Sequence, residues 1–227
     1  MRPMHQLVLD VAKEAREQRF TRRGAIGSSA KLAAGGAIAL TAATSPALAR
    51  LIAAQTEFES DIDVFNYALT LEHLENAFYE LAGDYDLGND GFNNSINDYV
   101  AQIGEHEAAH VETITAVISD AGGEPVERAE YDFGVTDAQS FLATAAVLEN
   151  VGVSAYDGAG QFLTDPGLLT AAGTIVAVEA RHASYLNLIT GTLPFPDAFE
   201  PTMTPDEVLE AATPFFVTDD GEATPDS

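Results

Sequence analysis

Two Glu-x-x-His motifs, Glu107/His110 and Glu179/His182, constrain this chain more than any other feature, together with two lone glutamates, Glu72 and Glu149, set in apolar stretches of helical spacing. Residues three apart on an α-helix lie on one side, so each motif can aim a carboxylate and an imidazole at a common point. Glu72 and Glu149 each add a carboxylate from a different helix. Four carboxylates and two imidazoles are the ligand set of a dinuclear metal site in the core of a four-helix bundle. Carboxylates can bridge two ions, while each imidazole ends the shell of one. Four carboxylates also balance two divalent ions, so a filled site is formally neutral. Left without metal, the same carboxylates repel one another and take up protons. Iron or manganese suits this oxygen and nitrogen set better than copper, and a tetrahedral structural zinc ion has no need of six ligands.

The apolar periodicity predicts an all-α chain with four long helices. They run over about Ser60–Leu81, Ser95–Asp120, Ala138–Leu163 and Gly167–Thr190. Gly122-Gly123 and Pro125 end the second, and Thr136 or Asp137 caps the third. Residues 123–137 are too long for a tight hairpin. They suit a crossover joining helices two and three, giving an up-down bundle over 50–193. Gly152, Gly158 and Gly160 lower the propensity of helix three and predict close helix–helix approach. A Pro-rich extension, 194–227, carries a short helix over Val208–Ala212 behind a Thr204-Pro205 cap. Phe195, Phe199, Phe215 and Phe216 are expected to pack it on the bundle, and Thr218–Ser227 read as disordered. The halves echo each other: Glu72 precedes Tyr79 by seven residues, as Glu149 precedes Tyr156.

Residues 50–227 hold four histidines, His73, His106, His110 and His182, all in or beside these motifs. His106 reads as a rim histidine, with ligation or an outer partnership as alternatives. His73 points about 100° away from Glu72 and is not expected to ligate. Glu75 and Glu105 are alternative competitors for metal, but their neighbours place them more easily on solvent faces. Tyr79 and Tyr156 are candidates for hydrogen bonds to carboxylates or for redox activity, against plain core packing. Glu107 and Glu179 are candidates for proton relay. Arg181 is expected to pair with a carboxylate near the site.

The start of the chain reads as an export signal. Phe20-Thr21-Arg22-Arg23 precedes a small-residue, apolar run that ends in Ser45-Pro46-Ala47-Leu48-Ala49, so residues 1–49 resemble a twin-arginine signal cut after Ala49. An uncut segment would leave the protein anchored, and no second hydrophobic span follows. The rest of the chain then works outside the cytoplasm or in the cell envelope. It carries three basic residues against 33 acidic ones, a formal charge of −30, with no lysine. Such a surface disfavours nucleic acid and anionic lipid and suits molar salt. Zero cysteine removes disulfides, thiolate ligands and thiol catalysis.

The segments Leu71–Tyr79, Gly104–His110, Leu148–Tyr156 and Val178–Ala183, with Leu193–Phe199, resemble the extracytoplasmic branch of the ferritin-like superfamily, including desiccation-related proteins. The resemblance spans about residues 60–215. It implies an up-down bundle with a long crossover and metal positions at Glu72, Glu107, His110, Glu149, Glu179 and His182. Two functions fit. One is a di-iron or di-manganese oxidoreductase, ferroxidase-like or manganese-catalase-like, acting on peroxide or dioxygen in oxidative or desiccation stress. The other is a non-enzymatic, metal-stabilised protein of the cell envelope. A homodimer is the default assembly.

Overall fold

The computed structural model describes residues 58–217, so the leader and the acidic end lie outside the described residues. Four long helices form: α1 Asp61–Tyr79, α2 Ile96–Asp120, α3 Ala138–Ala159 and α4 Pro166–Ile189. A short helix, α5, Pro205–Ala212, follows them. Each start is set by a side chain that accepts a hydrogen bond from an otherwise orphaned backbone N–H. The caps are Ser60, Ser95, Asp137, Asp165 and Thr204. Asp137 and Ser140 form a reciprocal capping box, as do Thr204 and Glu207. Pro166 and Pro205 occupy first-turn positions, where a missing N–H costs nothing. Helix three ends earlier than its apolar pattern suggests: residues Gly160–Phe162 tighten into a 3-10 turn, after which Leu163 is extended.

The helices pair as two hairpins, α1 with α2 and α3 with α4, and α1 packs along α3. Asp61, at the start of α1, accepts hydrogen bonds from the backbone N–H of Thr164 and Asp165 at 2.8 and 3.0 Å. That clamp lays the start of α1 beside the α3–α4 turn, so α1 and α3 run antiparallel. The long segment 121–137 connects the hairpins. Asn66 holds it to α1, accepting from Val126 N–H at 2.8 Å and donating to Glu124 C=O at 3.2 Å. Phe78 stacks on Phe141 with ring centroids 4.6 Å apart, closing the core between α1 and α3. No helix of the described residues is long and apolar enough to cross a membrane.

The C-terminal segment packs only in part as expected. Phe216 is fully buried and Phe215 packs against the core, and the N–H of Asp132 in the crossover donates to Phe215 C=O at 2.9 Å. Phe195 is 80 % exposed and Phe199 is also exposed, because residues 190–200 leave the bundle surface after α4. Of the three glycines, Gly152 faces α1 as close helix–helix approach predicts, and Gly158 meets a different neighbour. Gly158 is where the backbone of Met203 crosses α3: the Met203 carbonyl occupies the space of a Cβ, and Met203 N–H donates to Ser154 C=O at 2.9 Å. Gly160 meets no such crowding. Gly158→Ala is therefore expected to destabilise the fold by about 1–3 kcal/mol despite its better helix propensity. Urea unfolding, with limited proteolysis of the 195–204 segment, measures this. A variant as stable as the parent would mean that the crossing is not a tight contact.

Candidate metal centre

The six expected ligands come together in the middle of the bundle. Glu72 is on α1, Glu107 and His110 on α2, Glu149 on α3, and Glu179 and His182 on α4. All six are buried, and the four glutamates have no exposed surface. Their donor atoms fall into two overlapping groups, each with its atoms within 4.8 Å of one another. One group is Glu72, Glu107, His110 and Glu179. The other is Glu107, Glu149, Glu179 and His182. Glu107 and Glu179 belong to both, the position of bridging carboxylates, while each group has one histidine and one lone glutamate of its own.

The atoms crowd and satisfy one another only in part, His110 Nδ1 having hydrogen-bond geometry to Glu107 Oε2. His110 Nδ1 lies 2.8 Å from Glu179, 3.2 Å from Glu72 and 3.2 Å from Glu107. His182 Nδ1 lies 3.1 Å from Glu107 and 3.3 Å from Glu149. Yet among the described residues Glu72 Oε2, Glu107 Oε1, Glu149 Oε2, both Glu179 oxygens and His182 Nδ1 have no partner with hydrogen-bond geometry. Buried polar atoms left unpaired cost about 1–3 kcal/mol each, more when charged. Four converging carboxyls with only two imidazoles between them, and several of their oxygens unpaired, are what a pair of hard cations would satisfy, so the residues fit the metal centre their sequence pattern implies.

The free carboxyl oxygens belong to a braced frame. Tyr79 O–H, on α1, donates to Glu149 Oε1 on α3 at 2.5 Å, and Tyr156 O–H, on α3, donates to Glu72 Oε1 on α1. Each tyrosine thus serves the lone glutamate of the opposite hairpin, and each lone glutamate keeps its second oxygen toward the cluster. Burial beside carboxylates holds both phenols well above their ordinary range, so both remain protonated donors. His106 Nδ1 lies 2.9 Å from His182 Nε2, with the two rings stacked at 12°. His106 is accordingly an outer partner of His182 and is not on the bare rim expected for it. His73 Nε2 faces the carbonyl of Val126, away from the cluster.

Two expectations fail. Glu75 is buried, not on a solvent face: one turn beyond Glu72, it points between α1 and α3, where Gly152 leaves room for it. The sequence signal was Gly152 itself, the counterpart of Glu75 in the second half. Glu105 is exposed as expected. Arg181 is exposed and makes no ion pair among the described residues, since its position on α4 faces away from the ligand side.

Burial pushes the carboxyls of Glu72, Glu75 and Glu149 well above the usual range, and neighbouring carboxylates add to the shift. Burial would also raise Glu179, but His110 and His182 pressed against it bring it down to about 2. Burial opposes charging of the two histidines, and the surrounding carboxylates overcome it, raising both to about 12. Without metal, the raised carboxyls keep protons that the unfolded chain loses above about pH 4.5. The histidine contribution is complete below about pH 6.5 and fades as pH climbs toward 12. Glu179 acts in the opposite sense, its contribution being lost only as pH falls toward 2. At fixed molar salt the metal-free protein should therefore lose stability steadily from pH 5 to pH 9. Saturating manganese(II) should remove most of that slope, with protons released on binding. Thermal melts with and without metal test this, and a metal-free Tm that rises across the range would contradict it.

A ferritin-like domain family model matches residues 60–192, which contain every residue of the cluster. A solved structure of a conserved hypothetical protein from Mycobacterium tuberculosis is similar, with a TM-score of 0.50 and 20 % identity, covering 59 % of this chain and 99 % of that one. At that identity the likeness establishes a shared fold. A search of curated proteins finds no match. With the family match spanning more than half of the chain and the bundle built around its buried carboxylates and imidazoles, the chain belongs to the ferritin-like domain family.

Proposed function

We propose that this protein is an exported dinuclear iron or manganese metalloprotein that acts on peroxide or dioxygen in defence against oxidative or desiccation stress. The observation that carries the reading is the cluster of buried carboxyl oxygens and imidazole nitrogen without hydrogen-bond donors, arranged as two groups that share Glu107 and Glu179. Glu72 and His110 would hold one ion, Glu149 and His182 the other, and Glu107 and Glu179 both. Two such ions, when bound, supply Lewis acidity and electrons for O–O chemistry. The protein's part is to orient and to handle protons. Tyr79 and Tyr156 fix the lone glutamates in place and keep phenolic protons beside the centre. Glu107 and Glu179 are the groups placed to take up or release protons between the two positions. A small apolar cavity lined by Val64, Ala68, Leu71, Ala155 and Ala159 borders Tyr156.

The twin-arginine-type leader supports an exported location, and the acidic, lysine-free remainder supports work at high salt. The full burial of the ligand set equally suits a second reading, a non-enzymatic envelope protein that uses metal for stability alone.

Elemental analysis of protein purified from a high-salt host decides between outcomes. Near two equivalents of iron or manganese are expected, with loss of metal in Glu107→Ala/His110→Ala. Loaded protein should then turn over peroxide or oxidise ferrous ion, and Tyr79→Phe/Tyr156→Phe should slow it by about 10–100-fold, the usual scale for losing outer partners of metal ligands. Two bound ions without turnover of either substrate would favour the stability reading. A folded protein with no metal would overturn both.

A further inference from the structure

The ligands and tyrosines of one half of the bundle recur in the other, and two polar side chains beside them, Glu75 and His106, do not. Glu72, Glu75 and Tyr79 of α1 correspond to Glu149, Gly152 and Tyr156 of α3, each 77 residues on. His106, Glu107 and His110 of α2 correspond to Val178, Glu179 and His182 of α4, each 72 residues on. The ligands and tyrosines are matched. Glu75 has a glycine as its mate, and His106 has a valine.

The first break is a packing device. The tyrosine bonds run from Tyr79 to Glu149 and from Tyr156 to Glu72, so α1 and α3 cross with Glu75 and Gly152 facing each other midway. A Cβ on Gly152 would lie 2.7 Å from Glu75 Oε1, closer than carbon and oxygen approach. A side chain at position 152 would displace the Glu75 carboxyl. Gly152 leaves the space to Glu75, which is 3 % exposed. Gly152 lies one turn along α3 from Glu149, so the carboxyl seated against it is placed beside the Glu149 half of the cluster.

The second break falls on the same half. His182 presents Nδ1 to Glu107 and Glu149 and has its Nε2 held by His106. A bound ion on Nδ1 would leave the proton of His182 on Nε2, facing His106 Nδ1, and so fix ring and tautomer together. Val178 can offer His110 no such bond.

Resting on the dinuclear reading above, we propose that the two metal positions are inequivalent, and that Glu75 is a fifth carboxylate, a seventh ligand reserved for the ion held by Glu149 and His182. Gly152 supplies its seat, and His106 stiffens the histidine of the same position. That ion has an extra anionic ligand within reach and a locked imidazole, so it binds first and is retained longest. The ion held by Glu72 and His110 is the exchangeable one.

The test is a titration of the metal-free, full-length protein with manganese(II) at fixed pH and molar salt, followed by calorimetry and by the manganese electron-spin signal. The wild type should bind two ions in separate steps, the first giving the signal of an isolated ion and the second coupling to it. Glu75→Gln should weaken the first step about tenfold or more and leave the second within about twofold. Gly152→Ala should do the same by displacing the Glu75 carboxyl. Thermal melts of the metal-free variants, run beside the titration, separate weakened binding from loss of fold. His106→Leu should weaken the first step alone. Two indistinguishable steps in the wild type, or an unchanged first step in Glu75→Gln and Gly152→Ala, overturn the inequivalence and leave the dinuclear centre standing. Failure of the wild type to bind two ions overturns the dinuclear reading itself.

Discussion

The structure depends on placing five glutamate side chains in the core of a four-helix bundle. No single helix could tolerate one of them there. Each carboxyl loses its water, gains no lysine or arginine, and lies against others of the same charge. The two histidines offset part of that cost, but only by accepting charge themselves. Breaking such a set by removing one member leaves the others unbalanced, which costs about 3–5 kcal/mol for a buried pair. The frame around the cluster therefore has to be stiff before any ligand arrives. The capped helix starts, the Asp61 clamp and the Phe78–Phe141 stack provide that stiffness from apolar and neutral parts.

Within that frame, the tyrosine–glutamate bonds tie the hairpins together. Each runs between α1 and α3 and so joins helices far apart in sequence. A neutral phenol is the right donor for the purpose. It satisfies one oxygen of each lone glutamate without neutralising the carboxylate, as a lysine would, and it packs as a large apolar ring. The second oxygen stays free for the cluster. The same residues thus hold the fold together and set the direction of the ligands, so stability and site geometry are not separable in this bundle.

Much of this was legible in the sequence because the governing patterns are local. Helical spacing of Glu107 with His110 and of Glu179 with His182 fixes a shared side, and the caps at Ser60, Asp137 and Thr204 announce helix starts. What the sequence left obscure was which helix faces a side chain across the core. Glu75 and Arg181 both sit among mixed neighbours on amphipathic helices, and periodicity cannot say whether a partner helix leaves a gap for one or turns away from the other. The gap for Glu75 is created by Gly152, 77 residues away. In the same way, the Met203 carbonyl over Gly158 follows from the path of a Pro-rich segment that has no period to read.

The internal echo explains why the obscure positions are the informative ones. Where both halves carry the same residue, each serves the common task of building a paired cluster, and local pattern is enough to find it. Where the halves differ, one position has been released from the symmetric requirement. Near the crossing of α1 and α3 the Glu75 carboxyl fills the space where a side chain on Gly152 would begin, so a Cβ there would displace it. An asymmetric pair, one large and polar, the other without a side chain, puts a functional group at that point. A bundle assembled from two similar hairpins thereby treats its two halves differently at its centre, and the difference lands beside the atoms most sensitive to an added charge.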